Sequence, residues 1–548
     1  MLPRSRRGDG CPRGEPRFGA ALPAIGRLDT LSGAAPPTSA RGPKTSEPWA
    51  GSMWDMSRLS ALDASFLRVE TEAAHMHVGW LSTLELPRGA DVLDAEELIA
   101  RIGARLHLAP RFRQRVVTPP LGLGEAVWRD DPDFDLRRHV SCVEARQALN
   151  VGGLQRLAGE FFSEQLDRER PLWRILIVPR LRGGRAAILG KVHHAMVDGV
   201  AAVELGMVLF DLAPEVALAE AKEWQPDLGA GGLRMVADDC LEQFRNVRRA
   251  ATLGLSPRRT LRVAETMRRA ALSMAEDALR PAPRSYLNMR IGPRRTVITH
   301  RIAMKRLAAL KQRCGVKLND VALAVVAGAL RRLATRRGEE QHDLRVMVPV
   351  SVRSGEEGGN RITFAFLDLP VAEPDPFRRL LTIRAQTLEL KGSGRIEGSD
   401  LLLRTVSLMP EPLKEKAARL AASPRMYNVT VSNVPGPRVP LYAAGAKVLS
   451  IYPIIPIPEE HALSIGVLSY GEHLHLSVYA DPDALPGLSP LSTLLEDSLA
   501  ELEIATTPSA LPSTSRSLEQ PHGQVLARPA WLTERDHLVA SARHADPA

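Results

Sequence analysis

Residues 191–199 read Lys-Val-His-His-Ala-Met-Val-Asp-Gly, and the segments on either side of them decide what the fold must hold in place. Before them, Ala186–Val192 is an apolar β-type run; after them, Val200–Phe210 has the apolar density of a buried helix. His193 and His194 therefore fall at a strand end, with Asp198 where a helix N-cap is expected. An imidazole there can take a proton from an alcohol or amine as it attacks a carbonyl, then return it to the leaving group. No Ser or Cys nucleophile stands in the stretch, so direct acyl transfer with His194 as base is the economical reading. His193 is expected to pack or hydrogen-bond beside it. Asp198 either orients the loop through a buried ion pair or caps the helix. Adjacent histidines on a strand point to opposite faces, and no third His or Cys is near, so no metal is expected.

At 548 residues the chain exceeds one typical core, which sets an expectation of two domains. Its 44% hydrophobic and 25% charged residues are those of an ordinary globular protein. Aromatic residues, at 4%, are too few for a base-stacking surface, so no nucleic-acid partner is expected. The net charge of +9 is local: residues 1–52 hold eight Lys/Arg against four Asp/Glu, and residues 241–300 hold thirteen against four. A basic segment of this kind suits an anionic lipid surface or a phosphate-bearing ligand, or is simply a solvated helix face. No uncharged apolar run reaches the roughly 18 residues of a membrane span, so any membrane contact is expected to be peripheral. Cys11, Cys142, Cys240 and Cys314 are dispersed and form no CxxC pair, as in a reduced, cytoplasmic compartment.

In chain order, residues 1–52 are rich in Arg, Pro, Gly and Ser and are expected to be disordered, with Met53 or Met56 as an alternative start. A short helix (58–67), a strand (76–85), a helix (95–106) and a strand (174–178) come before the histidines. The last of these is expected to pair with the histidine strand. Residues 216–290 are basic and carry apolar Met267, Ala271, Met274 and Ala278 at helical spacing, a bridge between domains or a membrane-facing helix. Strands at 296–302, 346–353, 362–369, 461–468 and 473–479 alternate with helices at 304–314, 319–333 and 489–504. The expected divisions are 1–52, a first domain at 53–215, the linker at 216–290, a second domain at 291–504 and a flexible tail at 505–548.

Several separated blocks carry a family likeness. His193-His194-Ala195-Met196-Val197-Asp198-Gly199 resembles the H-H-x-x-x-D-G signature of the chloramphenicol-acetyltransferase-like superfamily. Met76-His77-Val78-Gly79, the Trp128–Val140 block, Pro171-Leu172-Trp173, Asn319-Asp320 and Ser432-Asn433-Val434-Pro435-Gly436-Pro437 are similar to blocks of the bacterial wax ester synthase/diacylglycerol acyltransferase family, in the same order. The resemblance spans about residues 57–504. It implies an α/β fold of two chloramphenicol-acetyltransferase-like domains with mixed sheets and an active-site tunnel at their interface. It implies acyl-CoA as donor, diacylglycerol or a fatty alcohol as acceptor, no cofactor, and a peripheral place on the inner membrane or a lipid droplet. The alternatives are a condensation-type enzyme that takes its acyl group from a carrier protein, and an inactive lipid-surface binding protein.

The same resemblance assigns further roles. Asp198 becomes the structural partner of Arg353, which ends an apolar strand where an unpaired charge is costly. Gly199 lets the chain turn. From the residues themselves, Ser432 and Asn433 are candidate oxyanion donors or turn residues, Asn319 is a substrate-side candidate or, with Asp320, a helix cap, and His77, far in sequence from any other candidate catalytic group, is expected to be structural.

Overall fold

The computed structural model describes residues 59–118, 126–144, 146–196, 206, 208–218, 220–227, 280–353, 360–392 and 411–507. The expected N-terminal extension, most of the basic linker, the C-terminal tail, Asp198 and Gly199 lie outside the described residues.

Ser60 opens the first helix, α1 (Ala61–Val69), by accepting from the Asp63 N–H at 3.1 Å. Strand β1 (His77–Glu85) follows, then α2 (Ala95–Arg105), capped by Asp94. A small ribbon of β2 (Gln114–Val117) and β3 (Val127–Asp130) leads to α3 (Leu136–His139) and β4 (Val140–Cys142). Next come α4 (Val151–Ser163), capped by Asn150, and the strands β5 (Trp173–Leu181) and β6 (Arg185–His193). Gly183 and Gly184, both at positive φ, turn β5 back onto β6, and β6 in turn lies antiparallel to β1, so that His193 stands opposite His77.

The second half runs β7 (Thr296–Ala303), α5 (Met304–Cys314), α6 (Leu318–Arg337), β8 (Leu344–Arg353), β9 (Asn360–Leu369), α7 (Pro376–Gly392), α8 (Glu411–Ala421) and β10 (Val429–Pro435). It ends with β11 (Tyr442–Ala443), β12 (Ala446–Ile454), β13 (Leu463–Tyr470), β14 (His473–Ala480) and α9 (Leu491–Thr506). Helix α6 is apolar on nearly every side through its centre and is buried accordingly.

Two six-stranded mixed sheets result. The first has the order β11-β12-β1-β6-β5-β4 and the second β7-β14-β13-β10-β8-β9. Residues 442–454 fall, by sequence, inside the expected second domain 291–504, yet their strands belong to the first sheet, where β12 pairs with β1. Without β12, the edge of β1 would expose a row of unpaired backbone groups. The chain then returns to the second sheet as β13.

The returning segment is tied down where it leaves. The Ser464 hydroxyl donates to the Ile455 carbonyl at 2.6 Å, and the Ser477 hydroxyl donates to that of Pro453. A shared apolar core joins Met76, Leu81 and Phe162 of the first lobe to Val297, Tyr452 and Tyr479. Gly466 sits at the closest approach: a Cβ there would lie 2.4 Å from the Pro453 carbonyl oxygen, against backbone that has no room to give. Gly466→Ala is expected to cost about 2 kcal/mol of stability, read as a lowered midpoint in urea unfolding; an unchanged midpoint would mean that the lobes are not packed this tightly.

Candidate active site

Strand β6 ends at His193, and the chain turns through a short 3-10 segment, His194–Met196. Two backbone bonds set this turn: the His193 N–H donates to the Leu172 carbonyl at 2.9 Å and the His194 N–H to that of Met76 at 3.0 Å. Met76 holds a φ of 48°, a left-handed conformation uncommon for a side chain of its size. Leu172 belongs to the Pro-Leu-Trp block, and its neighbour Trp173 anchors that block by donating from its ring nitrogen to the Phe112 carbonyl at 2.8 Å. Three of the motifs quoted from the sequence thus meet at one turn.

His193 is buried. Its Nδ1 accepts from the Ala195 N–H at 3.1 Å, so the ring hydrogen sits on Nε2, which faces Glu70 Oε2 at 3.6 Å. The Glu70 carboxylate also receives Gln165 at 3.1 Å and the Arg168 Nε at 2.7 Å. Burial works to raise its pKa, but the nearby His193 ring and the hydrogen bonds from Gln165 and Arg168 bring it below the usual carboxylate range. No motif pointed to Glu70. His77, beside His193, accepts from the Leu166 N–H at 3.3 Å and is held well below the ordinary imidazole value, chiefly by burial and then by the Lys191 charge.

Lys191 is fully buried within the apolar β6. Its ammonium donates to the Phe161 and Glu164 carbonyls at 2.5 and 2.6 Å, where the C-terminal end of α4 presents unsatisfied oxygens, and burial pushes its pKa down to about 7.

The His194 ring is half-buried and stacks on Phe66 of α1, centroids 3.8 Å apart and planes at 13°. Its Nδ1 has no hydrogen-bond partner among the described residues. Burial, with a smaller contribution from His193, pushes the ring down to about 4. At neutral pH it is therefore in the proton-accepting form.

Asn319 and Asn433 meet: the Asn433 side-chain amide donates to Asn319 Oδ1 at 2.9 Å. The cap of α6 is made instead by Asp320, which accepts from the Lys317 N–H at 2.9 Å and pairs with Arg384 at 3.5 Å. Ser432 and Asn433 leave opposite faces of β10. Ser432 lies level with Gly466 of β13, on the face turned to the crossing strand β12, whereas Asn433 reaches the helix layer. The two side chains thus do not converge on one point. Arg353 ends β8, its backbone level with Asn360; the expected pairing with Asp198 lies outside the described residues. Among the described residues no group of three or more His, Cys, Asp or Glu is placed to hold a metal ion, and no helix is long and apolar enough to cross a membrane.

The chain matches the family model of the wax ester synthase/diacylglycerol acyltransferase catalytic domain over residues 59–322, and that of the WS/DGAT C-terminal domain over 358–503. It is 32% identical over 464 residues to the probable diacylglycerol O-acyltransferase tgs1 of Mycobacterium tuberculosis H37Rv, covering 82% of this chain and 96% of that one. It is likewise 32% identical to tgs2 of the same strain, over 81% of this chain and 98% of that one. Among solved structures, the wax ester synthase/diacylglycerol acyltransferase of Marinobacter aquaeolei VT8 is similar with a TM-score of 0.60 at 26% identity, covering 82% of this chain and all of that one. The first condensation domain of the calcium-dependent antibiotic synthetase shares the fold, with a TM-score of 0.52 at 18% identity over 83% of this chain and 97% of that one.

The buried imidazoles make a prediction about acid. His194, His461 and His475 are each held at about 4 by burial, against 6.5 for a free ring. Between those values the unfolded chain binds protons that the folded chain refuses, so stability falls as pH drops from 6.5 towards 4. Lowered Glu70 adds loss in the same direction at the acid end. The melting temperature is expected to decline steadily across this range with net proton uptake on unfolding; a flat profile would contradict the buried, neutral rings.

Proposed function

The chain belongs to the wax ester synthase/diacylglycerol acyltransferase family, and from that premise we propose that it moves a long-chain acyl group from acyl-CoA to the hydroxyl of diacylglycerol, of a fatty alcohol, or of both. The observation that carries this reading is His194, a proton-free imidazole on a turn tied to Met76 and stacked on Phe66. The ring takes the hydroxyl proton as the oxygen attacks the thioester carbonyl. A C–O bond forms, the tetrahedral intermediate collapses, the C–S bond breaks, and the proton passes from His194 to the departing CoA thiolate. Donor and acceptor enter a tunnel between the lobes from opposite sides. The atoms balance with no cofactor.

Ser432 is the side chain we assign to the oxyanion, because it lies on the face of the second sheet turned towards β12 of the first. Asn433 and Asn319 clamp the end of β10 to α6 instead. We further assign Asp198 and Arg353, as the family resemblance implies, to an ion pair that would hold the loop after the histidines, with Gly199 allowing the turn. The donor is assigned as acyl-CoA rather than a carrier protein because the chain matches family models and relatives named for diacylglycerol acyl transfer along most of its length, whereas its likeness to condensation domains is one of fold. An inactive lipid-binding role would leave the intact histidine turn without a use.

Purified protein given palmitoyl-CoA with dioleoylglycerol or hexadecanol is expected to release CoA only when an acceptor is present. His194→Ala should lower that release by about 10²- to 10⁴-fold, and acceptor-independent or mutation-insensitive release would sink the assignment. In the same assay, Asp198→Asn and Arg353→Met are expected to cost no more together than either does alone; additive losses would refute the pair.

The basic segment 241–300, short of the buried Arg295 and of β7, holds the enzyme on the anionic surface of the inner membrane or a lipid droplet, on the cytoplasmic side. Binding to phosphatidylglycerol vesicles should weaken sharply between about 0.1 M and about 1 M salt; salt-insensitive binding would rule out this electrostatic anchor.

A further inference from the structure

Helix α1 and the residue that caps its end present two side chains, four apart, to the two histidines. Phe66 stacks on the His194 ring, and Glu70, whose N–H closes the helix on the Phe66 carbonyl at 3.2 Å, faces His193. Arg168, just before the Pro-Leu-Trp block, locks this helix end: it bonds the Glu70 carboxylate at 2.7 Å and the Leu67 carbonyl at 2.9 Å. The Glu70 side chain is 1% exposed although it carries a charge, which is tolerable only because His193, Gln165 and Arg168 surround it.

We infer that Glu70 is a positioning residue for acyl transfer: its carboxylate faces the Nε2–H of His193, which fixes that ring's tautomer and leaves Nδ1 free to hold the Ala195 N–H of the turn that carries His194. The chain of contacts is short: an electrostatic contact of 3.6 Å from the Glu70 carboxylate to His193 Nε2, then the hydrogen bond from the Ala195 N–H to Nδ1 at 3.1 Å. Glu70 sets which His193 nitrogen bears the hydrogen, the other nitrogen accepts from Ala195, and Ala195 is the residue after the base. A ring with its hydrogen on Nδ1 would set donor against donor at Ala195, and the turn would open. The inference rests on the reading of His194 as the base.

Glu70→Gln keeps the shape but has one acceptor oxygen for three donors. It either leaves His193 Nε2–H unanswered or turns an amide N–H towards it. The expected result is a fall in kcat of about tenfold to hundredfold with KM for palmitoyl-CoA within about twofold, while Glu70→Asp, which keeps the charge, recovers part of the loss. Ring-nitrogen NMR of histidine-labelled protein, with His193 assigned through His193→Gln, should show the Nε2–H tautomer in the parent and its loss or mixing in Glu70→Gln.

A parent His193 bearing its hydrogen on Nδ1 overturns the inference, as does a fall in kcat with unaltered ring signals, or altered ring signals with kcat within about twofold of the parent. If Glu70→Gln does not fold, the parent tautomer and Glu70→Asp decide the matter. If the parent releases no CoA with either acceptor, the acyl-transfer reading falls, and the ring spectra alone judge whether Glu70 sets the tautomer.

Discussion

The pairing of β12 with β1 is the constraint on which the rest of the structure depends. β1 lies between β12 and β6, so the strand that ends at the two histidines is one strand away from a segment that enters from, and returns to, the second sheet. Where that segment returns, Pro453 and Ile455 find their hydrogen-bond donors on β14 and β13 of the second sheet. Separating the lobes would therefore break either strand pairing or these buried bonds, each a costly loss away from water. Ser432 and His194, on different sheets, are held in a fixed relation by backbone rather than by contacts of their own.

Most of the regular structure was legible because its periodicity is clean. The strands around 77–85, 185–193 and 473–480 alternate or run apolar, and α6 is a long apolar run with a glycine at its end. What was hidden had physical reasons. β12 passes through Tyr452-Pro453-Ile454, and proline inside a run argues against a strand, yet here Pro453 gives its carbonyl to Ser477. Its partner strand is also remote in sequence, and nothing local says which sheet it will join. α4 carries Gly152, Gly153 and Gly159, poor helix formers; Gly159 is needed because a Cβ there would stand 2.6 Å from the Arg295 carbonyl oxygen. α7 buries Arg379 and Arg384 on the face that an amphipathic pattern should make apolar. They bond Glu373 and Asp320 instead of meeting water.

The site divides in the same way. The histidines, the Pro-Leu-Trp block and the Met76–Gly79 segment could be read as separate words, and the turn at His194 is where they touch. The Asn319–Asp320 pair was read as one unit, but its members part: Asp320 closes the start of α6 and Asn319 meets Asn433. Ser432 and Asn433 part as well, because neighbours on a strand face opposite ways. A motif quoted as a string hides this alternation, and only the register with β13 shows which member turns towards the other lobe.

Glu70 was invisible for a related reason: a carboxylate at a helix end reads as a solvated charge, and its partners come from two other segments. Its placement has an electrostatic logic. A carboxylate against His194 would favour the protonated ring and remove the base at neutral pH. Set against His193 instead, at 3.6 Å from its Nε2, it favours one orientation of that ring electrostatically, while burial chiefly governs His194. Lys191 and Arg295 act in the same sense nearby. Both are buried cations answered by backbone carbonyls, and both disfavour a second positive charge on His75 and His77. Burial likewise holds His194 in its neutral form, so on the proposed mechanism a proton taken from the acceptor hydroxyl is readily passed on to the leaving group.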